Sequence, residues 1–288
     1  MTEKDGAIRA QRYLGPADDP DALRQANDIR RAAADARTRR TTVSMLKRSG
    51  IPAPPLDMGR LMEAIANAGL FRNGVVLVGT GAYQVYSAVV GAALAHGTLT
   101  TQDADLALVT LAVASEPEGQ RLLDILQRAD PTFAAQMGLD PREPPRRFRS
   151  AAGFEVDVIT RYRRRSADER AVRMPALQCA ARPWRHVEFL IGDPIMAVAL
   201  HGSGVQVTIP QPARYAVHKL VLAQVRGDTS TKRAKDLAQA KELIDALRLS
   251  DPHAVDDALA DARRRGTKWK TNVDRSLREL GLDGAWLV

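Results

Sequence analysis

The spacing of apolar residues divides the chain into three stretches. Between Asp21 and Lys47 strong apolar positions are sparse (Leu23, Ile29, Val43, Leu46) and the rest is largely Ala and Arg. That pattern predicts helix over residues 1–50, mostly solvated or packed through Ala. Pro52, Pro54 and Pro55 break it. From Asp57 onward Leu61, Ile65 and Ala68 recur at helical spacing, and Gly69 stops that helix. The middle stretch changes period. Val75-Val76-Leu77-Val78 is a short apolar run ending in Gly79-Thr80-Gly81, the pattern of a buried strand feeding a glycine turn. A helix is expected over Ala82–Ala95, a strand over Ala104–Val109 and a helix over Pro117–Ala129, then a loop with Pro131, Pro141, Pro144 and Pro145. Further strands are expected at Phe154–Thr160, Val187–Ile191 and Val205–Ile209. From Pro212 the pattern is helical over about 212–226, 232–248, 253–265 and 270–280.

Helices, then strands joined by at least one crossover helix, then helices again indicate an α+β fold. It would have a mixed β-sheet core, an N-terminal helical segment and a C-terminal helical bundle. The divisions this implies are residues 1–69, 70–210 and 211–288.

Composition narrows the functional classes. A chain of 288 residues, 45% hydrophobic, buries a sizeable core without disulfides or a structural metal. No apolar run reaches the roughly 18 residues of a membrane span, and Met-Thr-Glu-Lys-Asp-Gly has no apolar signal core. A cytoplasmic location without membrane contact is therefore expected. The single cysteine, Cys179, excludes an intramolecular disulfide and a Cys-based zinc site. Ser166, Ser203 and Cys179 have no paired base nearby, which speaks against nucleophilic catalysis. The net charge of +8 suits a polyanionic partner such as nucleic acid. Yet 34 of the 42 basic residues are Arg, a bias that a GC-rich coding sequence produces by itself.

The sharpest chemical feature is Thr101-Gln102-Asp103-Ala104-Asp105-Leu106. Residues i and i+2 of a strand share a face, so Asp103 and Asp105 project together with Cβ atoms roughly 6–7 Å apart. Two such carboxylates repel unless a cation lies between them, and oxygen-only ligands suit Mg²⁺. Phe154-Glu155-Val156-Asp157-Val158 supplies a third acid, with Glu155 and Asp157 on one face. If its strand lies beside the first, Asp157 completes a cluster able to hold two metals about 3.5–4 Å apart for in-line phosphoryl displacement.

An apolar strand, a glycine turn, a helix, Asp-x-Asp and a later strand Asp together resemble the nucleotidyltransferase fold of the DNA polymerase β superfamily. Val78-Gly79-Thr80, Asp103-Ala104-Asp105 and Asp157 carry the match. Within it the chain is similar to bacterial nucleotidyltransferase-like proteins related to AbiEii-type toxins. The similarity extends over Leu70–Thr80 and Pro212–Leu220 and covers about residues 50–250. The resemblance implies a nucleotidyltransferase of the EC 2.7.7 type. Gly79, Thr80 and Gly81 would hold triphosphate oxygens, ATP among the candidates. Asp103, Asp105 and Asp157 would bind Mg²⁺, or Mn²⁺ in its place, with Asp157 as second-metal ligand or base. Lys219 matches a helical Lys of the group, with a catalytic role, and Lys235-Asp236 matches a basic-Asp pair. Two departures stand out: the turn is Gly-Thr-Gly, and the spacing from Gly79 to Asp103 is long.

Residue spacing adds to this. Lys219 and Arg226 are seven residues apart, so they share a helix face about 10 Å apart, and Lys232, Lys235 and Gln239 share a face of the next helix. Both faces are expected to reach phosphates. Arginines surround the third strand (Arg147, Arg149, Arg161), and Trp269 lies among bases near the C-terminus, placed to stack on a nucleobase. The expected reaction is transfer of a nucleoside monophosphate from an NTP to an acceptor hydroxyl, RNA and tRNA in particular. A role in a toxin–antitoxin or defence pair, with an antitoxin protein as partner, would follow from the relatives. The alternative is a non-catalytic nucleotide- or nucleic-acid-binding protein of the same fold.

Overall fold

The computed structural model describes residues 2–4, 7–9, 13–94, 108–113, 120–138, 143–162, 171–226 and 231–282. A hairpin of β1 (Thr2–Lys4) and β2 (Ala7–Arg9) precedes α1 (Pro20–Arg48), so the first 50 residues are not one helix. Asp19 caps α1 by accepting the N–H of Asp21, and Pro20 fits the first helical position. Only Ala22 and Val43 of α1 are buried, as its sparse apolar pattern implies. α2 (Leu56–Asn67) buries Met58, Leu61, Met62 and Ile65, an i, i+3, i+4, i+7 stripe.

A 3₁₀ turn at Leu70–Asn73 leads into β3 (Val75–Val78), which is buried throughout. α3 (Gly79–Val90) follows without a loop and ends at Gly91, which takes the left-handed conformation. Next come β4 (Leu108–Val113), α4 (Leu122–Ala129), β5 (Ala134–Gln136), β6 (Arg147–Arg149) and β7 (Glu155–Arg161). β8 (Val172–Met174), β9 (Cys179–Trp184), α5 (Val187–Leu190) and the hairpin of β10 (Ile195–Ala199) and β11 (Val205–Ile209) complete the middle stretch. Four helices close the chain: α6 (Pro212–Val225), α7 (Thr231–Ser250), α8 (Pro252–Arg264) and α9 (Thr267–Glu279).

The main sheet has the order β3-β4-β7-β6-β5. β4 is antiparallel to β3 and parallel to β7; β6 pairs with the start of β7 and β9 with its end. This is the mixed sheet of an α+β fold. Val156, Val158 and Ile159 of β7 are fully covered, which makes it a central strand. Two expectations need correction. Val187–Ile191 is a single helical turn, not a strand. Val187, Phe189, Leu190 and Ile191 are all buried, and a run of four or five apolar residues fits a covered helical turn as well as a strand. The second strand is described over Leu108–Val113 and extends past the expected end at Val109, because Thr110–Val113 pair with β3 and β7. Residues 104–107 lie outside the described residues.

Candidate active site

Register brings the glycine turn and Asp157 to the same end of the sheet. Val78, Thr110 and Asp157 are Cα partners in a single row across β3, β4 and β7. Since β3 runs against the other two, its C-terminal end meets their starts. At about 4.8 Å per strand, the turn after Val78 lies roughly 10 Å from the backbone of Asp157. Asp103 and Asp105 lie outside the described residues.

The glycine turn has a local physical cause at two positions. Gly79 has φ +63°, a conformation that disfavours any side chain. A Cβ on Gly81 would fall 2.9 Å from Leu77 Cδ1, so glycine lets the first turn of α3 rest on the strand that feeds it. Val78 at the N-cap offers no side-chain hydrogen bond to the first N–H groups of α3. A helix start of this kind favours anions. Thr80 and Gly79 are half-buried there.

Asp157 is 4% exposed and its Oδ2 accepts a hydrogen bond from Arg182 Nη2 at 3.1 Å. Arg182, on β9, lies over the ring of Trp184 at 5.6 Å. Glu155, on the same face of β7, lies 3.9 Å from Nε of both Arg147 and Arg149. The carboxylate donors fit a hard divalent cation, but Asp157 alone of the three expected ligands is described. Among the described residues, no group of three His, Cys, Asp or Glu side chains is placed to hold a metal ion.

The remaining predicted residues converge in the helices. Lys219 Nζ donates to Asp236 Oδ1 at 2.6 Å, and Arg226 Nε lies 2.8 Å from Oδ2. Thus Lys219 on α6 and Arg226, just past its C-terminal end in extended conformation, close on an acid of the next helix. Burial lowers the Lys219 pKa, while the Asp236 carboxylate pulls it the other way. Lys235 is half-buried beside them, and Lys232 faces solvent. The Lys219 ammonium also lies 5.3 Å from the centre of the Tyr215 ring. Tyr215 in turn donates its hydroxyl to the carbonyl of Gly79 at 3.1 Å, so the helices touch the turn directly. His218, fully covered, packs edge-on against Trp184 at 6.5 Å.

The family model described as Nucleotidyltransferase matches residues 57–264, well over half the chain. The chain belongs to this nucleotidyltransferase family. It is accordingly a transferase enzyme, and the activity implies a nucleoside triphosphate substrate. No curated protein and no solved structure matches the chain. The matched span holds all the predicted site residues of this nucleotidyltransferase, from Gly79 to Asp236. No helix among the described residues is long and apolar enough to cross a membrane.

Two residues escape the motif reading. Arg182 contacts Asp157, and Tyr215 contacts Gly79, and neither stands in a pattern that announces it. Trp269 is not a free stacking platform. Its ring packs on His186 at 4.7 Å and Phe189 at 5.1 Å, with Arg265 lying 5.8 Å from its centre. Cys179 is buried in β9.

Proposed function

We propose that this nucleotidyltransferase moves a nucleoside monophosphate from an NTP to a hydroxyl of RNA, tRNA being the favoured acceptor, in a Mg²⁺-dependent reaction in the cytoplasm. The observation that carries the reading is the row Val78–Thr110–Asp157, in which the glycine turn and an acid lie toward the same end of the sheet. In this reading Gly79, Thr80 and Gly81 present N–H groups to the triphosphate. Asp103, Asp105 and Asp157 would hold Mg²⁺ or Mn²⁺. Such an ion, when bound, neutralises phosphate charge and favours departure of pyrophosphate. The acceptor oxygen forms a bond to the α-phosphorus as the bond to the bridging oxygen breaks, and the hydroxyl proton passes to Asp157 or to water. Lys219 and Arg226, steadied by Asp236 and flanked by Lys235, supply positive charge from the helices. The half-exposed arginines beside β7 favour a polyanionic acceptor.

Kinship with AbiEii-type toxins, and with it an antitoxin partner, is proposed on the spacing of Lys219 and Lys235-Asp236. The test is a labelling assay with Mg²⁺, each α-labelled NTP in turn, and bacterial RNA plus protein, run beside Asp103→Ala. Label in RNA, abolished in the variant, is the expected result. Label in a protein band would reassign the acceptor, and equal labelling by Asp103→Ala would overturn the site. The second reading, nucleotide binding without turnover, draws on the Arg182 contact that occupies Asp157. NTP binding with no label in any band would favour it.

A further inference from the structure

Three tyrosine hydroxyls stitch α3, the helix that opens with the glycine turn, to the chain around it. Tyr83 donates to Glu242 Oε2 at 2.6 Å, Tyr86 to the carbonyl of Pro210 at 2.9 Å, and Tyr215 to the carbonyl of Gly79 at 3.1 Å. Their rings pack together with centroids 5.0–6.2 Å apart. Of the three, Tyr215 alone bonds to the turn.

We propose that Tyr215 is a positioning residue that holds the Gly79 carbonyl, and with it the first turn of α3, in register with the Lys219–Asp236 pair. The proposal rests on the reading of this turn as the triphosphate site. Three observations argue for it. Glycine populates both signs of φ readily, so the φ of +63° at Gly79 needs an outside restraint to stay fixed. The Tyr215 hydroxyl is that restraint, and its ring is 1% exposed, so the bond is shielded from water. The same ring lies under the Lys219 ammonium, so one side chain touches both halves of the candidate site. Burial, and then the Asp236 charge, push the Tyr215 pKa well up, which keeps the hydroxyl protonated and able to donate.

A hydroxyl has one hydrogen. Tyr215 also lies 3.4 Å from the side-chain amide of Gln239, which is 1% exposed and has a buried Nε2 without a partner. An amide turned with its nitrogen toward Tyr215 satisfies that atom and leaves the hydroxyl hydrogen for Gly79. The sense of the chain is then Gln239 to Tyr215 to Gly79.

The test compares Tyr215→Phe with Tyr86→Phe. Each variant loses one buried hydroxyl bond to a backbone carbonyl, so the two are expected to lower Tm comparably. Only Tyr215→Phe is expected to weaken binding of NTP with Mg²⁺, roughly three- to tenfold, the worth of one net hydrogen bond. Of the two tyrosine variants, it alone is expected to speed amide exchange in the peptide spanning Gly79 to Ala82. Gln239→Met, which removes the other partner of the hydroxyl, should move exchange in that peptide by a smaller factor. Equal effects of the two tyrosine variants on NTP affinity, or unchanged exchange in Tyr215→Phe and Gln239→Met, would overturn the positioning role alone. A wild-type chain that binds none of the four NTPs would overturn the triphosphate reading beneath it.

Discussion

Arg182 meets Asp157 at 3.1 Å and Lys219 meets Asp236 at 2.6 Å, yet the two pairs stand in different surroundings. On the sheet, the Arg182 side chain is 42% exposed, and the Arg147 and Arg149 side chains are comparably open. Water competes for these guanidinium groups, although the acids they meet, Asp157 and Glu155, are themselves largely buried. In the helices the Asp236 side chain is 3% exposed and carries both Lys219 and Arg226. There, loss of one member leaves charge stranded away from water. The sheet thus offers a carboxylate whose cation can be exchanged, whereas the helices offer a fixed cationic block.

The widest separation between the two regions should appear in stability. Asp236→Asn leaves the largely covered Lys219 and the half-buried Arg226 without their counter-ion, and is expected to cost about 3 kcal/mol in denaturant unfolding. A loss below about 1 kcal/mol would mean that water reaches the cluster and would erase the contrast.

The pH profile sharpens the same point. Burial first, and then the Lys219 charge, push the His218 pKa down to about 3. The unfolded chain regains an ordinary imidazole near pH 6.5. Between these values the unfolded state binds a proton that the folded state refuses, so the stabilisation is full above about pH 6.5 and is lost as pH falls toward 3. By pH 4 the loss is on the order of 3 kcal/mol. His218→Phe is expected to flatten this part of the curve; an unchanged slope would place the titration elsewhere.

The smallest effect belongs to the sheet. Arg182→Gln is expected to cost less than Asp236→Asn, since the guanidinium it removes is 42% exposed and Gln can still donate to the buried Asp157 carboxylate. A cost as large as that of Asp236→Asn would show that Arg182 is as integral as Lys219.

Much of this arrangement is legible along the chain. The apolar run Val75–Val78 names a covered strand, Gly79 and Gly81 mark its turn, and the alternation around Asp157 marks another strand. The four closing helices follow from their spacing, within a few residues at each end. The short strands β5, β6 and β8 escape because three residues carry no period, and pairing partners decide their state. Val187–Ile191 misleads for the same reason: a short apolar run states burial but not period.

By itself, then, the sequence determined the α+β class, the glycine turn, the acids and the Lys219 and Lys235-Asp236 positions, because each depends on local spacing or residue type. Only the tertiary structure decided which of these meet. Arg182 reaches Asp157 across 25 residues, Asp236 gathers Lys219 from 17 residues away, and Tyr215 reaches Gly79 across 136. Contacts of that separation are set by strand register and helix packing, and these depend on the whole buried surface rather than on any stretch of it.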